Sequence, residues 1–318
     1  MQVLQDELKK YRMQLFGIAI LWMFLRHLWI IGNYEFGFFK YFLILGTCGV
    51  DIFLFLSGYG LYFSYKNNAL VEFYKRRLKR VLPSTLLLLL LFSIVDSIAS
   101  SNVSLLLQIV HPGYYLYSIC TNFWFIFAIL FFYIVFPFII YVVDRWPWIS
   151  FVCSYLLASL LIFIIQFFDI KIPLFANPIL TVARIPVFTL GVICAANPIV
   201  LTKKNYAILI MVLLLPLVFL GIPEYIMFFL NSLMVIGIIH ILLFFCSMTS
   251  SYLRKFFDVL GECSLEFYMI HIYIMWNLNL FRIDNYIHSH FLISILFFVI
   301  SIAVSLLVHS ILNLFFRR

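Results

Sequence analysis

The chain has 318 residues, of which 65% are hydrophobic, 20% aromatic and only 11% charged. That composition excludes an ordinary soluble domain, and its apolar runs are long and numerous enough to cross a bilayer repeatedly. The formal net charge of +8 is not a nucleic-acid signal, because the cations sit in short segments between apolar runs, as the positive-inside rule describes.

The runs do not alternate as the strands of a membrane β-barrel do. The expected fold is therefore an all-α polytopic integral membrane protein, with residues 1–318 forming one membrane domain. Met1 to Lys10 is polar and reads as a short amphipathic helix on the membrane surface. Ten spans are expected after it, at 14–31, 39–65, 83–99, 121–143, 149–168, 181–197, 205–221, 225–247, 264–280 and 291–315. The first run lacks a small-residue cleavage site and reads as a retained span, not a signal peptide. Ten spans put both termini on one side. With the N-terminus in the cytoplasm, sixteen Lys and Arg residues fall in inside segments. Only Lys40, Lys171 and Arg282 fall outside, and Arg26 and Arg184 lie within or at the edge of spans. The six cysteines lie singly, without metal-ligand spacing, and read as small packing residues; no metal site is expected.

The densest charge lies between the second and third spans. From Phe73 to Pro83 the chain carries Lys75, Arg76, Arg77, Lys79 and Arg80. This knot is topogenic. It could also grip a soluble anion such as a phosphorylated cofactor at the membrane surface.

Ionisable residues inside apolar spans are costly and face the bundle interior. Arg26, His27, Asp51, Arg184, Glu266 and His271 are in this class, and His240 and His309 sit in apolar runs without evident polar neighbours. His27 lies fifteen residues beyond Arg12, roughly 22 Å of helix, which puts it well across the bilayer. It is either a packing histidine or a general base. Asp51 needs a partner. It either orients His27 or forms a structural ion pair with Arg26 or Arg184. Arg184 could steady an oxyanion or a carboxylate, or reach to the outer interface. Trp124 sits at a span edge where aromatic belts occur. Ser264, Tyr268 and His271 share one helix face by their spacing, which could line an inner cavity; Glu266 lies off it.

Taken in order, these segments resemble the type-3 integral-membrane acyltransferases, which include bacterial O-acetyltransferases of polysaccharides and membrane glycans. The run from Gly17 ending in His27 is similar to the family's opening. Gly49 to Tyr59 resembles its Gly-Val-Asp-Ile-Phe segment. Arg77, Arg80 and Pro83 keep its Arg-x-x-Arg-x-x-Pro spacing. Trp124 with Tyr133 and Pro137, Arg184 to Gly191, and Leu260 to His271 resemble later segments. One departure is plain. Where the family commonly has an arginine eleven residues before the first-span histidine, this chain has Phe16, and Arg12 or Arg26 is the candidate replacement.

The resemblance implies an O-acetyltransferase of the bacterial cytoplasmic membrane. Acetyl-CoA is the implied donor, and a cell-surface or lipid-linked glycan is the implied acceptor. His27 is expected either as the base or as a covalent carrier of the acyl group, with Asp51, Arg12 and Arg26 as its catalytic companions. Arg77 and Arg80 suit the donor's phosphates, with Lys75 and Arg76 adding field. Trp124, Arg184, Tyr268 and His271 are the expected substrate-facing residues. Some relatives carry an added extracytoplasmic hydrolase-like domain, and none is expected here. A separate partner transferase or a homo-oligomer is open. So are other classes: an acyl-relay subunit, a transporter or flippase, and a structural or sensory membrane protein.

Overall fold

The computed structural model describes residues 4–30, 37, 40–101, 112–170, 178–197, 224–277 and 290–316. Among them the chain is helical throughout, with no strand. Among the described residues, seven helices are long and apolar enough to cross a membrane. The elements are α1 (Leu4–Ile30), α2 (Lys40–Ile44), a single 3-10 turn (Leu45–Thr47), α3 (Cys48–Lys66), α4 (Leu70–Ser100), α5 (Pro112–Thr121), α6 (Trp124–Val143), α7 (Pro147–Phe167), α8 (Pro178–Val182), α9 (Ile185–Ala196), α10 (Glu224–Met248), α11 (Ser251–Glu262), α12 (Ser264–Trp276) and α13 (His290–Phe316). The expected spans at 14–31, 39–65, 83–99, 121–143, 149–168, 181–197 and 291–315 correspond to the seven long apolar helices. The expected spans at 225–247 and 264–280 fall on α10 and α12, and the one at 205–221 lies outside the described residues.

Three local expectations need correction. The polar N-terminal segment is not a separate surface helix: α1 begins at Leu4, and Leu4 and Leu8 are buried. Gln5 Nε2 donates to the carbonyls of Cys194 and Ala195, satisfying acceptors left free at the end of α9. The cationic stretch is not a loop. It is the first half of α4, which runs 31 residues with Pro83 inside it. The proline cannot donate to the Lys79 carbonyl, but a long helix packed on several sides tolerates one lost bond. The expected sixth span is broken at Ala183–Arg184 into α8 and α9, and Pro186 sits in the first turn of α9, where its missing N–H costs nothing. The short charged segment left between the expected spans at 225–247 and 264–280 is a further helix, α11, N-capped by the Ser250 hydroxyl accepting from Leu253 N at 3.4 Å.

Helices α9 and α12 are buried nearly all round, as helices apolar on every face must be. Two crossings set the interior. In the α3–α9 crossing, a Cβ at Gly58 would collide with the Phe188 carbonyl, and one at Gly191 with the Phe55 carbonyl. The α1–α11 crossing repeats the device: Gly17 meets the Phe257 carbonyl and Gly261 the Met13 carbonyl. Such close backbone approach is how membrane helices gain packing where the hydrophobic effect between them is absent. Aromatic rings fill the remaining gaps: Phe132 stacks on Phe188 at 4.4 Å, and Phe92 on Tyr273 at 4.0 Å. Helix α7, by contrast, leaves Leu156, Leu160, Phe163 and Phe167 exposed, an apolar face turned outward as lipid requires.

Candidate functional site

A cavity opens among α1, α3, α4, α6 and α12. At one end stand Arg12 of α1, Arg77 and Arg80 of α4, Leu61 of α3 and Tyr133 of α6. The fields of Arg77 and Arg80 act on Arg12, and those of all three arginines act on the Tyr133 hydroxyl. Arg80 is exposed, so this end is a mouth. Beyond it the lining turns apolar through Phe16, Ile20, Met23, Phe53, Phe125 and Ile129, with Tyr268 closing the far side. Along α1 the lining therefore runs from Arg12 to Met23, about 16 Å at 1.5 Å per residue.

The mouth carries cations without acids. Among the described residues, none of Arg12, Arg77 and Arg80 has a carboxylate within ion-pair distance. Arg12 Nη2 donates to the Leu56 carbonyl at 3.1 Å, and its guanidinium lies over the Phe16 ring at 5.5 Å. Arg77 Nη2 donates to Ser64 Oγ at 2.5 Å. The Nε atoms of Arg12 and Arg77 are buried and make no hydrogen bond among the described residues. Buried unsatisfied donors of one sign, gathered at an opening, form a site prepared for an anion. Arg12 reaches over Phe16, the position at which an arginine was anticipated, and delivers its charge to the mouth rather than to His27. Lys75 and Arg76 do not face the cavity: both are exposed, and Arg76 pairs with Glu72 at 2.9 Å.

The far end leads to two histidines. Met23 lies one turn before His27 on α1, and Tyr268 less than one turn before His271 on α12. His27 Nδ1 and His271 Nε2 are 2.9 Å apart. His271 is fully buried, and its Nδ1 lies 2.7 Å from the Phe267 carbonyl oxygen. Tyr268 meets the His271 ring at 6.0 Å between centroids. His27 thus meets a histidine, and of the two readings of Asp51 the structure shows the ion pair with Arg184. Arg26 donates to the carbonyls of Leu43 and Ile44 where α2 ends, and its charge also acts on His27.

Asp51 belongs to a separate cluster. Arg184 Nε stands 3.4 Å from Asp51 Oδ1, and both are buried. Arg184 also donates to the Leu180 carbonyl at 2.7 Å, across the α8–α9 break, and its guanidinium lies over Trp124 at 5.2 Å. The arginine does not reach to an interface; it ties α3, α6 and the broken helix together. A second buried carboxylate, Glu266, accepts from the Ser84 hydroxyl and lies 3.7 Å from His309 Nδ1. His309 therefore has a polar neighbour that sequence reading missed, because the two residues sit on different spans.

These features define an integral membrane protein, all-helical among the described residues, whose interior holds an anion-ready cavity mouth and, one turn past the cavity's last residue on α1, a histidine pair with His271 buried. The chain belongs to the type-3 acyltransferases: the family model described as an acyltransferase domain matches residues 17–312. No curated protein and no solved structure matches the chain. Membership indicates acyltransferase activity, and the matched segment contains the cavity, save for Arg12 and Phe16, together with both histidines.

Proposed function

We propose that this acyltransferase moves an acetyl group from acetyl-CoA to a hydroxyl of a cell-surface or lipid-linked glycan, in the cytoplasmic membrane of a bacterium. The observation that carries the reading is the cavity, cationic at its mouth, apolar along its throat, and ending one turn short of His27. Coenzyme A has matching parts: a polyanionic head, a thin arm and a terminal thioester. Arg12, Arg77 and Arg80 hold the phosphates by charge-assisted hydrogen bonds. The throat from Ile20 to Met23 and from Ile129 to Phe125 sheathes the arm.

His27 acts as general base. It takes the proton of the acceptor hydroxyl as that oxygen bonds to the acyl carbon. The carbon–sulfur bond then breaks, and the imidazolium returns the proton to the departing thiolate. Excluding water from the throat protects the thioester from hydrolysis.

The proposal includes sidedness. Ten spans with both termini in the cytoplasm would put Arg77 and Arg80 where coenzyme A is made. The sixteen-to-three distribution of Lys and Arg supports it. Reporter fusions after Lys66 and after Asp169 test it, the first expected inside and the second outside.

The activity test uses purified protein in nanodiscs with radiolabelled acetyl-CoA and a lipid-linked glycan acceptor. CoA thiol release and label on the acceptor should appear together. They should vanish in His27→Ala, and cell-surface O-acetyl should vanish with them. Release of CoA only when a second protein is added would indicate a relay subunit. Acceptor movement without CoA release would indicate a transporter.

A further inference from the structure

The histidine pair carries more than an orientation. The Phe267 carbonyl oxygen can only accept, so His271 Nδ1, 2.7 Å from it, carries the hydrogen. A neutral His271 then presents a bare lone pair at Nε2. His27 Nδ1 stands 2.9 Å from that lone pair and must donate to it. The ring planes lie within 23° with centroids 5.1 Å apart. At so short a nitrogen–nitrogen distance, this is two imidazoles meeting edge to edge with the N–H in plane. The chain of donors therefore runs from His27 Nδ1 to His271 Nε2, and from His271 Nδ1 to the carbonyl. It leaves the lone pair of His27 at Nε2.

We infer that His271 is a positioning residue that fixes the tautomer of His27, so that Nε2 and not Nδ1 is the base. This rests on the acyl-transfer reading above. His271 carries no proton of the reaction. Its Nε2 accepts from His27 Nδ1 before, during and after transfer, and supports the transient imidazolium. It replaces the carboxylate that usually orients a catalytic histidine. A neutral orienter suits a span where a second buried charge would need its own partner.

Two variants separate this role from packing. His271→Phe keeps a ring but offers no acceptor. His271→Gln puts an amide oxygen near the Nε2 position and can still donate to the Phe267 carbonyl. With acetyl-CoA as donor, His271→Phe should lower kcat about 100-fold while KM for the donor stays within about twofold. His271→Gln should recover most of that loss.

A second readout needs no donor: the rate at which diethyl pyrocarbonate labels His27, followed by peptide mass spectrometry. It should fall several-fold in His271→Phe and return in His271→Gln. The inference is overturned if His271→Phe keeps both kcat and labelling, or if His271→Gln is as slow as His271→Phe in both. A wild-type protein that consumes no acetyl-CoA would sink the proposed function, and the labelling rates would then judge the histidine pair alone.

Discussion

Two groups of arginines sit inside this bundle under opposite arrangements. Arg184 is surrounded: Asp51 beside it, the Leu180 carbonyl beneath, the Trp124 ring across its face. Arg12, Arg77 and Arg80 gather at one opening with no carboxylate within reach among the described residues. Removing a guanidinium from water is costly, and the cost is met either by a permanent partner or by a ligand that comes and goes. The first arrangement holds helices together. The second leaves interaction energy in reserve for an incoming anion. The residue type is alike in the two groups; what separates them is that Arg184 is buried with its partners whereas the others stand at an opening.

The comparison can be broken or sharpened by substitution. The largest effect belongs to the residue the channel leads to: His27→Ala should reduce acyl transfer about 1,000-fold or more in protein that still inserts, measured as CoA release. Next come the open cations. Arg77→Ala with Arg80→Ala should raise KM for acetyl-CoA by about 100-fold or more, since each charge-assisted bond is worth roughly 1.5–3 kcal/mol. The same pair should change kcat little and leave thermal stability near wild type. An unchanged KM would reduce the mouth to a topology signal. Asp51→Ala inverts that signature. It strands Arg184 and should cost about 3–5 kcal/mol of stability, read as a lower melting temperature, with donor KM unchanged in the protein that remains folded. The smallest effect belongs to Lys75→Ala with Arg76→Ala. These side chains are exposed and Arg76 already has Glu72, so KM should rise less than about threefold, a change that added salt should erase.

Much of the fold was legible because hydrocarbon imposes one rule on every span: apolar side chains over enough helix. Helix α11 was not legible in that way. Arg254, Lys255, Asp258 and Glu262 make it too charged to read as a span. Yet Ser250 as a cap, and Leu253, Phe256, Phe257 and Leu260 at helical spacing, were the signal to follow. The site was legible residue by residue and not as an assembly. His27 and His271 each stood out as ionisable groups in apolar runs, but they are 244 positions apart, and no local pattern reports a contact across that separation. Asp51 reads from sequence either as the orienter of His27 or as half of an ion pair, and only the fold selects Arg184 as its partner. Arg12 sits one turn before Phe16, and its guanidinium lies over the Phe16 ring. A long flexible side chain can move its charge by a helical turn without moving its backbone.

One consequence follows from the unbroken α1. The same rod carries Arg12 at the mouth and His27 beyond the throat, and it is clamped by the contacts that Gly17 and Gly261 make between α1 and α11. The interval between them is then a matter of helical rise, about 22 Å, and no loop can stretch or shorten it. Helix α1 is a ruler. A donor anchored by its phosphates reaches the imidazole only if its arm is the right length, and each carbon added beyond the carbonyl must find room past the mark where the two histidines meet.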